Sequence, residues 1–130
     1  MLRFSCILGL LVLLGGGALQ ADDPSMLWSA GLRSSEAAVR LATLVQLNSN
    51  AERQVWSEEQ GAAVAGDLLP LLKDPEPRIR AGAARALARC RVAGPVAAPA
   101  WANAMHDADV EVRRSVVEAV GLHLSAGVPA

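Results

Sequence analysis

Apolar residues recur along this chain at helical spacing, in stripes that short polar stretches separate. One phrase, a Val or Ile followed at once by Arg, occurs three times, with its apolar residue at Val39, Ile79 and Val112. Further apolar anchors recur at fixed distances from it: Trp28, Leu68 and Trp101; Leu32, Leu72 and Met105; Leu47, Leu87 and Val120. The three copies are 40 and 33 residues apart, which is the range of helical repeats. The pattern predicts three helical hairpins, over about 24–48, 57–92 and 94–124.

Local start signals divide each unit into two helices. Ser57 stands three residues before Gln60, which predicts a capping box at the start of the second unit's first helix. Asp74 is predicted to cap the following helix, with Pro75 at its first position. The third unit repeats this design, with Asp107 or Asp109 near its turn. The seven extra residues of the first period are expected in the polar segment 48–56.

Composition supports an all-α fold. Apolar residues make up 52% of the 130-residue chain, aromatic residues only 3%, and there is no Tyr. Strand-forming residue types are therefore scarce, and helix formers dominate. The expected architecture is an α-solenoid, because an isolated hairpin cannot bury both of its apolar faces and must stack on neighbours.

The N-terminus predicts an exported protein. Arg3 precedes an apolar run over 4–14 and then small residues, the pattern of a secretory signal peptide. Cleavage is expected after Ala21, with Ala18 as the alternative, so the repeat domain would span 22–130. An uncleaved N-terminal anchor is the other interpretation. Either way the domain is expected outside the cytoplasm, periplasmic or secreted, with no stable membrane insertion once the signal is removed.

Charge excludes one class of partner. Loss of Arg3 with the signal leaves 11 basic and 13 acidic residues, a net charge near −2. A nucleic-acid-binding domain is normally basic, so nucleic acid is not an expected partner. Cys90 would then be the single cysteine of the mature chain, and its place on a helical stripe predicts a small, buried apolar residue.

The repeated phrase resembles the HEAT-repeat family, most closely in "LKDPEPRIRAGAARAL" from Leu72. The resemblance covers about 24–124 and implies a right-handed α-α superhelix. It also implies a structural ladder of hydrogen bonds and ion pairs between Asp and Arg side chains along the stacked repeats. The matching positions are Asp74, Arg80, Asp107, Arg113 and Arg40, whereas Ser34 stands where the first unit would carry Asp.

The remaining arginines raise a second hypothesis. Arg78, Arg85 and Arg89 form a stripe on the second unit's second helix, which could bind an acidic protein surface or an anionic polymer, or could be a solvated helix face. Trp56 is the one tryptophan outside the repeat pattern. It is either an interface anchor or a packing residue before the Ser57 cap.

Few residues suggest chemistry. His106 and His123 belong to no metal-ligand spacing, and both are predicted to be surface or capping residues. No phosphate-binding loop or nucleophile motif occurs in the repeat region. The sequence therefore predicts no catalytic, metal or cofactor site.

The last predicted helix carries a second apolar line, with Val110, Val117 and Leu124 seven residues apart. The chain ends where a fourth unit would begin. This line therefore predicts homodimerisation, docking of a partner, or coverage by the tail.

The predicted function is a non-catalytic protein-interaction or scaffold module that binds another protein through the surface of its stacked helices. Two alternatives stand beside it. One is a subunit of, or accessory to, an enzyme, similar to the bilin lyase-type repeat proteins. The other is an anion-binding surface that uses the arginine stripe.

Overall fold

The structure, a computed structural model, describes residues 24–125, with side chains from Trp28 onward. In this range the chain forms six helices and no strand: α1 Pro24–Leu32, α2 Ala37–Arg53, α3 Glu58–Leu71, α4 Pro77–Arg89, α5 Gly94–Ala104 and α6 Val110–Ser125. The prediction of an all-α fold is confirmed. The predicted signal peptide, residues 1–21, lies outside the described residues.

The helices pack in pairs, and the pairs are joined mainly through their second members. Within each pair, α1 contacts α2, α3 contacts α4, and α5 contacts α6. Between pairs, α4 packs along α2 on one side and along α6 on the other, and α1 packs along α3. The central helix α4 is therefore the element that positions both neighbouring pairs.

One apolar cluster extends through all three pairs. Its fully buried members include Leu44, Leu68, Ile79, Leu87 and Val116. Cys90 belongs to the same cluster, as predicted for a buried apolar residue. Burial raises the pKa of its thiol to about 12, with the nearby positive charge of Arg89 acting in the opposite direction.

The start of α3 follows the sequence prediction. The Ser57 hydroxyl accepts a hydrogen bond from the Gln60 amide at 3.1 Å, and the Gln60 side chain accepts one from the Ser57 amide at 2.9 Å. These two bonds satisfy two amide groups that the first turn of a helix leaves unpaired. The predicted capping box is confirmed.

The start of α4 differs from the prediction. The helix begins at Pro77, not Pro75, and its N-cap is Glu76 rather than Asp74. Glu76 precedes a proline, which disfavours helical geometry, and its backbone is extended. Asp74 instead accepts a hydrogen bond from the Glu76 amide at 3.0 Å, which forms a turn ahead of the helix.

The third unit starts its second helix differently again. The Asp109 carboxylate accepts a hydrogen bond from the Glu111 amide at 2.8 Å, so Asp109 caps α6. Asp107 lies two residues earlier and accepts a bond from the Asp109 amide at 2.9 Å. Of the two aspartates predicted near this turn, Asp109 caps the helix, whereas both oxygens of Asp107 also accept long-range hydrogen bonds.

The extra residues of the first period lie in two places. Helix α2 continues to Arg53, which makes it 17 residues long, whereas α4 has 13. The other three lie in α3, which has 14 residues where α5 has 11, because the connections 54–57 and 90–93 are equally long. The first period is therefore longer because both α2 and α3 are longer than their counterparts, and only the extension of α2 lies in the predicted segment 48–56.

Candidate interaction surfaces

Two ion pairs connect consecutive units with the same geometry. Arg40 donates to both carboxylate oxygens of Asp74, from Nε at 2.8 Å and from Nη2 at 3.3 Å. Arg80 donates to Asp107 in the same way, at 2.9 and 3.1 Å. Each arginine therefore binds the aspartate of the next unit through a two-point contact, the stronger form of this interaction. The sequence had singled out these four residues, and the structure decides which of them pair.

The third guanidinium nitrogen of each arginine binds the turn of its own unit. Arg40 Nη1 donates to the Ser34 carbonyl at 2.9 Å, and Arg80 Nη1 donates to the Asp74 carbonyl at 2.8 Å. Arg113 Nη1 repeats this contact with the Asp107 carbonyl at 2.6 Å. Each arginine is thus held at its own turn, and Nε and Nη2 are left for the next unit.

These contacts shift the pKa values of the second pair. Burial by itself raises the pKa of Asp107, but bonds from Arg80 and the Asp109 amide, and the charges of Arg80 and Arg113, outweigh it. The pKa of Asp107 therefore lies below its usual value. The hydrogen bond to Asp107 raises the pKa of Arg80 above its usual value, while burial acts against it.

We expect Asp107→Asn to lower the free energy of unfolding by about 1–3 kcal/mol at pH 7, because a partly buried charge-assisted pair is lost. The folded-state pKa of Asp107 is depressed, so the pair stabilises the protein above the unfolded pKa of about 3.9 and loses this effect as pH falls through the folded value. Urea unfolding of wild type and variant between pH 7 and pH 2 measures the difference, which should shrink below pH 4.

Glu111→Gln is the matched control, because Glu111 pairs only with Arg114 on the exposed face of the same helix. Its effect should be small at every pH, since surface pairs contribute little. A difference between wild type and Asp107→Asn that stayed constant down to pH 2 would contradict the role of the ionised carboxylate.

A further cross-unit ion pair was not predicted. Arg33, in the turn after α1, donates from Nε to the buried carboxylate of Asp67 in α3. The sequence feature that could have indicated this ion pair is Asp67 itself, an acidic residue inside the apolar stretch of α3. Ala100 stands at the equivalent position of the third unit, so this contact occurs once.

A groove of about 500 Å³ lies along the second helices, and we call it the α2–α4 groove. Its walls are formed by Leu41, Val45, Asn48 and Ser49 of α2, by Pro77, Arg78, Ala81, Gly82, Arg85 and Arg89 of α4, and by Asp109 and Glu111 at the start of α6. Val45 is 58% exposed and is a large apolar side chain open to solvent in this groove. The sequence reasoning did not identify Val45, because it occupies the edge of the apolar stripe of α2.

The arginine stripe lines this groove, and each of its members is paired with a carboxylate. Arg78 lies 3.2 Å from Glu76, two residues before it in the sequence. Arg85 and Arg89 reach across to other helices: Arg85 lies 3.1 Å from Glu118 of α6, and Arg89 lies 2.7 Å from Glu52 of α2. The stripe that the sequence identified as basic is therefore balanced by acids from neighbouring elements.

A second groove, of about 710 Å³, separates the first helices α3 and α5. Leu69, Pro70 and Lys73 line it from the α3 side, and Asn103 and Ala104 from the α5 side. The groove is open because α5 packs mainly on α4 and α6 and not along α3. The other first helix, α1, does pack along α3.

Three aromatic or histidine predictions have clear outcomes. Trp56 is 2% exposed, and its Nε1–H donates to the Asn50 side chain at 3.2 Å, so it is a packing residue and is not accessible to a partner. His106 is exposed, as predicted. The prediction is wrong for His123, which is buried with its ring edge-to-face with Trp101 at 5.2 Å. His123 lies one turn after buried Ala119, and it therefore continues the inner face of α6.

Residues 24–125 contain no group of three or more His, Cys, Asp or Glu side chains placed to hold a metal ion. Over the same residues, no helix has the length and apolar character that crossing a membrane requires. Comparison with protein-family models, with curated proteins and with solved structures found no match to this chain.

Proposed function

We propose that this chain is an exported, non-catalytic protein-interaction module, built as an α-solenoid of three HEAT-like hairpins. Another protein docks along its second helices, in the α2–α4 groove. The observation that carries the proposal is the packing of α2, α4 and α6 side by side, with a groove open on their surface.

The repeated ion pairs support the solenoid part of this proposal. Arg40 with Asp74 and Arg80 with Asp107 form the same two-point contact between successive units. Repeats that stack by one rule have equivalent interfaces, as repeat arrays do. The assignment to the HEAT type and the right-handed superhelix come from the resemblance in sequence.

The composition of the α2–α4 groove supports a protein as its occupant. Exposed Val45 offers an apolar contact, and the paired charges of Arg85 with Glu118 and Arg89 with Glu52 form a polar boundary. An apolar centre with a polar rim is typical of protein interfaces. Because each of these arginines lies beside a carboxylate, the stripe has no net positive charge to attract an anionic polymer, and this disfavours the anion-binding alternative.

The N-terminal pattern over 1–21 supports export, and the proposed location is periplasmic or secreted. Fractionation of cells that express the full chain tests this part. Recovery of a shortened protein from the cell envelope or medium is the expected result, and full-length protein found only in the cytoplasm would contradict it.

We expect Val45→Asp to abolish capture of the partner, because a carboxylate in the groove would have to lose its water when a protein docks there. The measurement is affinity capture from a cell-envelope extract by the tagged full chain, with captured proteins identified by mass spectrometry. Val55→Asp is the matched control: Val55 is 80% exposed in the connection before α3 and does not line the groove.

A protein captured by wild type and by Val55→Asp, but not by Val45→Asp, is the expected result. Equal capture by all three would refute docking in the α2–α4 groove. Capture that is abolished by salt and by Arg85→Glu and Arg89→Glu, but not by Val45→Asp, would favour the anion-binding alternative.

A further inference from the structure

His123 is a buried histidine whose ring makes no hydrogen bond with any described residue. It is 4% exposed, and both Nδ1 and Nε2 are buried without a partner. It lies on the inner side of α6, whereas Val110, Val117 and Leu124 on the other side of the helix are 56%, 59% and 65% exposed. Buried polar groups are normally paired, so an unpaired imidazole in the interior calls for a reason.

The repeat shows that this position is otherwise held by neutral groups. Counted back by 33 and then by 40 residues, His123 corresponds to Cys90 and Asn50. Cys90 is 0% exposed, and burial raises the pKa of its thiol to about 12, so it is neutral at pH 7. The Asn50 amide has no charge and accepts the Trp56 indole N–H at 3.2 Å. Of the three units, only the third has a group here that can acquire a positive charge.

Neither α5 nor α6 places a carboxylate on the ring. Helix α5, which meets the ring through Trp101, has no charged residue. On α6 the charged residue that precedes His123 most closely in sequence is Glu118, and it lies 3.1 Å from Arg85. The last two residues of α6 are uncharged.

Helix α4, which also packs on α6, brings positive charges to this level. The contact between Arg85 and Glu118 spans 33 residues, so it sets the register of the two helices. The last turn of α4 therefore lies level with His123, and it carries Arg89, with Arg91 just beyond. A positive charge on His123 would meet no compensating acid among the described residues.

Proton uptake would convert the ring into a cation with an N–H on each nitrogen. An unpaired charge is much more costly to bury than a neutral imidazole. The face of the Trp101 ring can attract a cation, but this contact cannot replace the hydrogen bonds that two N–H groups require. The packing around His123 therefore suits its neutral form.

We propose that His123 is an acid-sensitive switch: when its ring takes up a proton, α6 loosens from α5 and the fold loses stability. A histidine in an unfolded chain takes up its proton near about pH 6.5. Because the neutral ring fits the folded chain and the charged ring does not, the stabilisation is complete above that pH and is lost as the pH falls below it. The switch does not depend on the proposed interaction function.

The first measurement follows the ring protons of both histidines in the full chain by NMR between pH 8 and pH 5. The chain has two histidines, so His106→Gln assigns the signals. The His106 signals should move with pH, since this residue is exposed. The His123 signals should keep the position of a neutral ring for as long as the native spectrum persists.

The second measurement is urea unfolding at pH 7.5 and pH 5.5. The unfolding equilibrium constant of wild type and of the matched control His106→Gln should rise about tenfold more over this interval than that of His123→Phe, which keeps a buried ring but cannot take up a proton. If His123→Phe does not fold, His123→Gln serves in its place.

Equal pH dependence in wild type and in the His123 variant would overturn the proposal, as would His123 signals that move with pH in the native spectrum. A wild type that gains stability at pH 5.5 relative to His123→Phe would also overturn it. That result would mean that a carboxylate outside the described residues, such as Asp22, Asp23 or the C-terminus at Ala130, binds the charged ring. None of these outcomes affects the proposed interaction function, which capture by Val45→Asp tests separately.

Discussion

Replacing Trp101 by Ala is expected to lower the free energy of unfolding by about 3–5 kcal/mol, the range for a buried Trp truncated to Ala. Trp101 lies in α5, and its side chain is almost fully buried. Its indole N–H donates to the Ala84 carbonyl of α4, and its ring lies edge-to-face with that of His123 in α6. One side chain thus joins all three helices at the third unit.

Equilibrium unfolding in urea, followed by far-ultraviolet circular dichroism, measures this effect without a tryptophan signal. Trp28→Ala is the matched control, because Trp28 holds the same repeat position in the first unit but is only half-buried, and its indole nitrogen has no hydrogen-bond partner among the described residues. Trp28→Ala should lower the free energy of unfolding by clearly less than Trp101→Ala does. Equal losses of stability in the two variants would mean that neither the burial of Trp101 nor its hydrogen bond to α4 explains its contribution.

Gly61→Ala is expected to destabilise the protein by about 1–3 kcal/mol, although Ala is the better helix former. A Cβ at Gly61 would lie 2.6 Å from the carbonyl oxygen of Cys90 and 2.8 Å from that of Arg91. Both are backbone atoms and cannot rotate away as a side chain would. Helix α3 and the end of α4 would have to move apart.

The end of α4 is fixed by its own hydrogen bonds, which is why it cannot yield easily. The Arg91 amide donates to the Ala88 carbonyl and the Val92 amide to the Leu87 carbonyl, both at 3.1 Å, the pattern of a Schellman motif. Arg91 adopts a left-handed backbone with φ of 59° to form it. The carbonyls that face Gly61 therefore belong to a constrained turn.

Gly66→Ala, in the same helix, provides the contrast. No atom lies within 4 Å of a Cβ placed at Gly66, so the change should stabilise α3 by about 1 kcal/mol through helix propensity alone. Thermal and urea unfolding of both variants should give effects of opposite sign. Stabilisation by Gly61→Ala would mean that α3 and α4 approach each other less closely than the structure shows.

Much of the candidate site could be predicted from the sequence, because it is built from a repeated phrase. Alignment of the three copies singled out Arg40, Arg80 and Arg113, and the resemblance to HEAT repeats implied that Asp74 and Asp107 take part in the same contacts. It also placed Val117 on an exposed line. The alignment of the arginines and the position of Val117 need only the period of the repeat and the period of an α-helix, which are both read from the sequence.

The rest depended on contacts that are distant in sequence. The arginine stripe looked basic because Glu118 and Glu52, which pair with Arg85 and Arg89, lie in other helices. The accessibility of Trp56 likewise depends on how α2 and α3 meet. Burial and charge pairing at such positions are set by packing, which periodicity does not encode.

The sequence by itself determined the presence of the helices, the capping box at Ser57 and the repeated arginines, because hydrogen bonding within a turn and the helical period act over a few residues. Only the tertiary structure decided that each arginine of a pair binds the aspartate of the following unit, that His123 is buried, and that Val117 stays exposed. These outcomes follow from which helices lie side by side, and that is fixed by the burial of apolar surface among all six helices of residues 24–125.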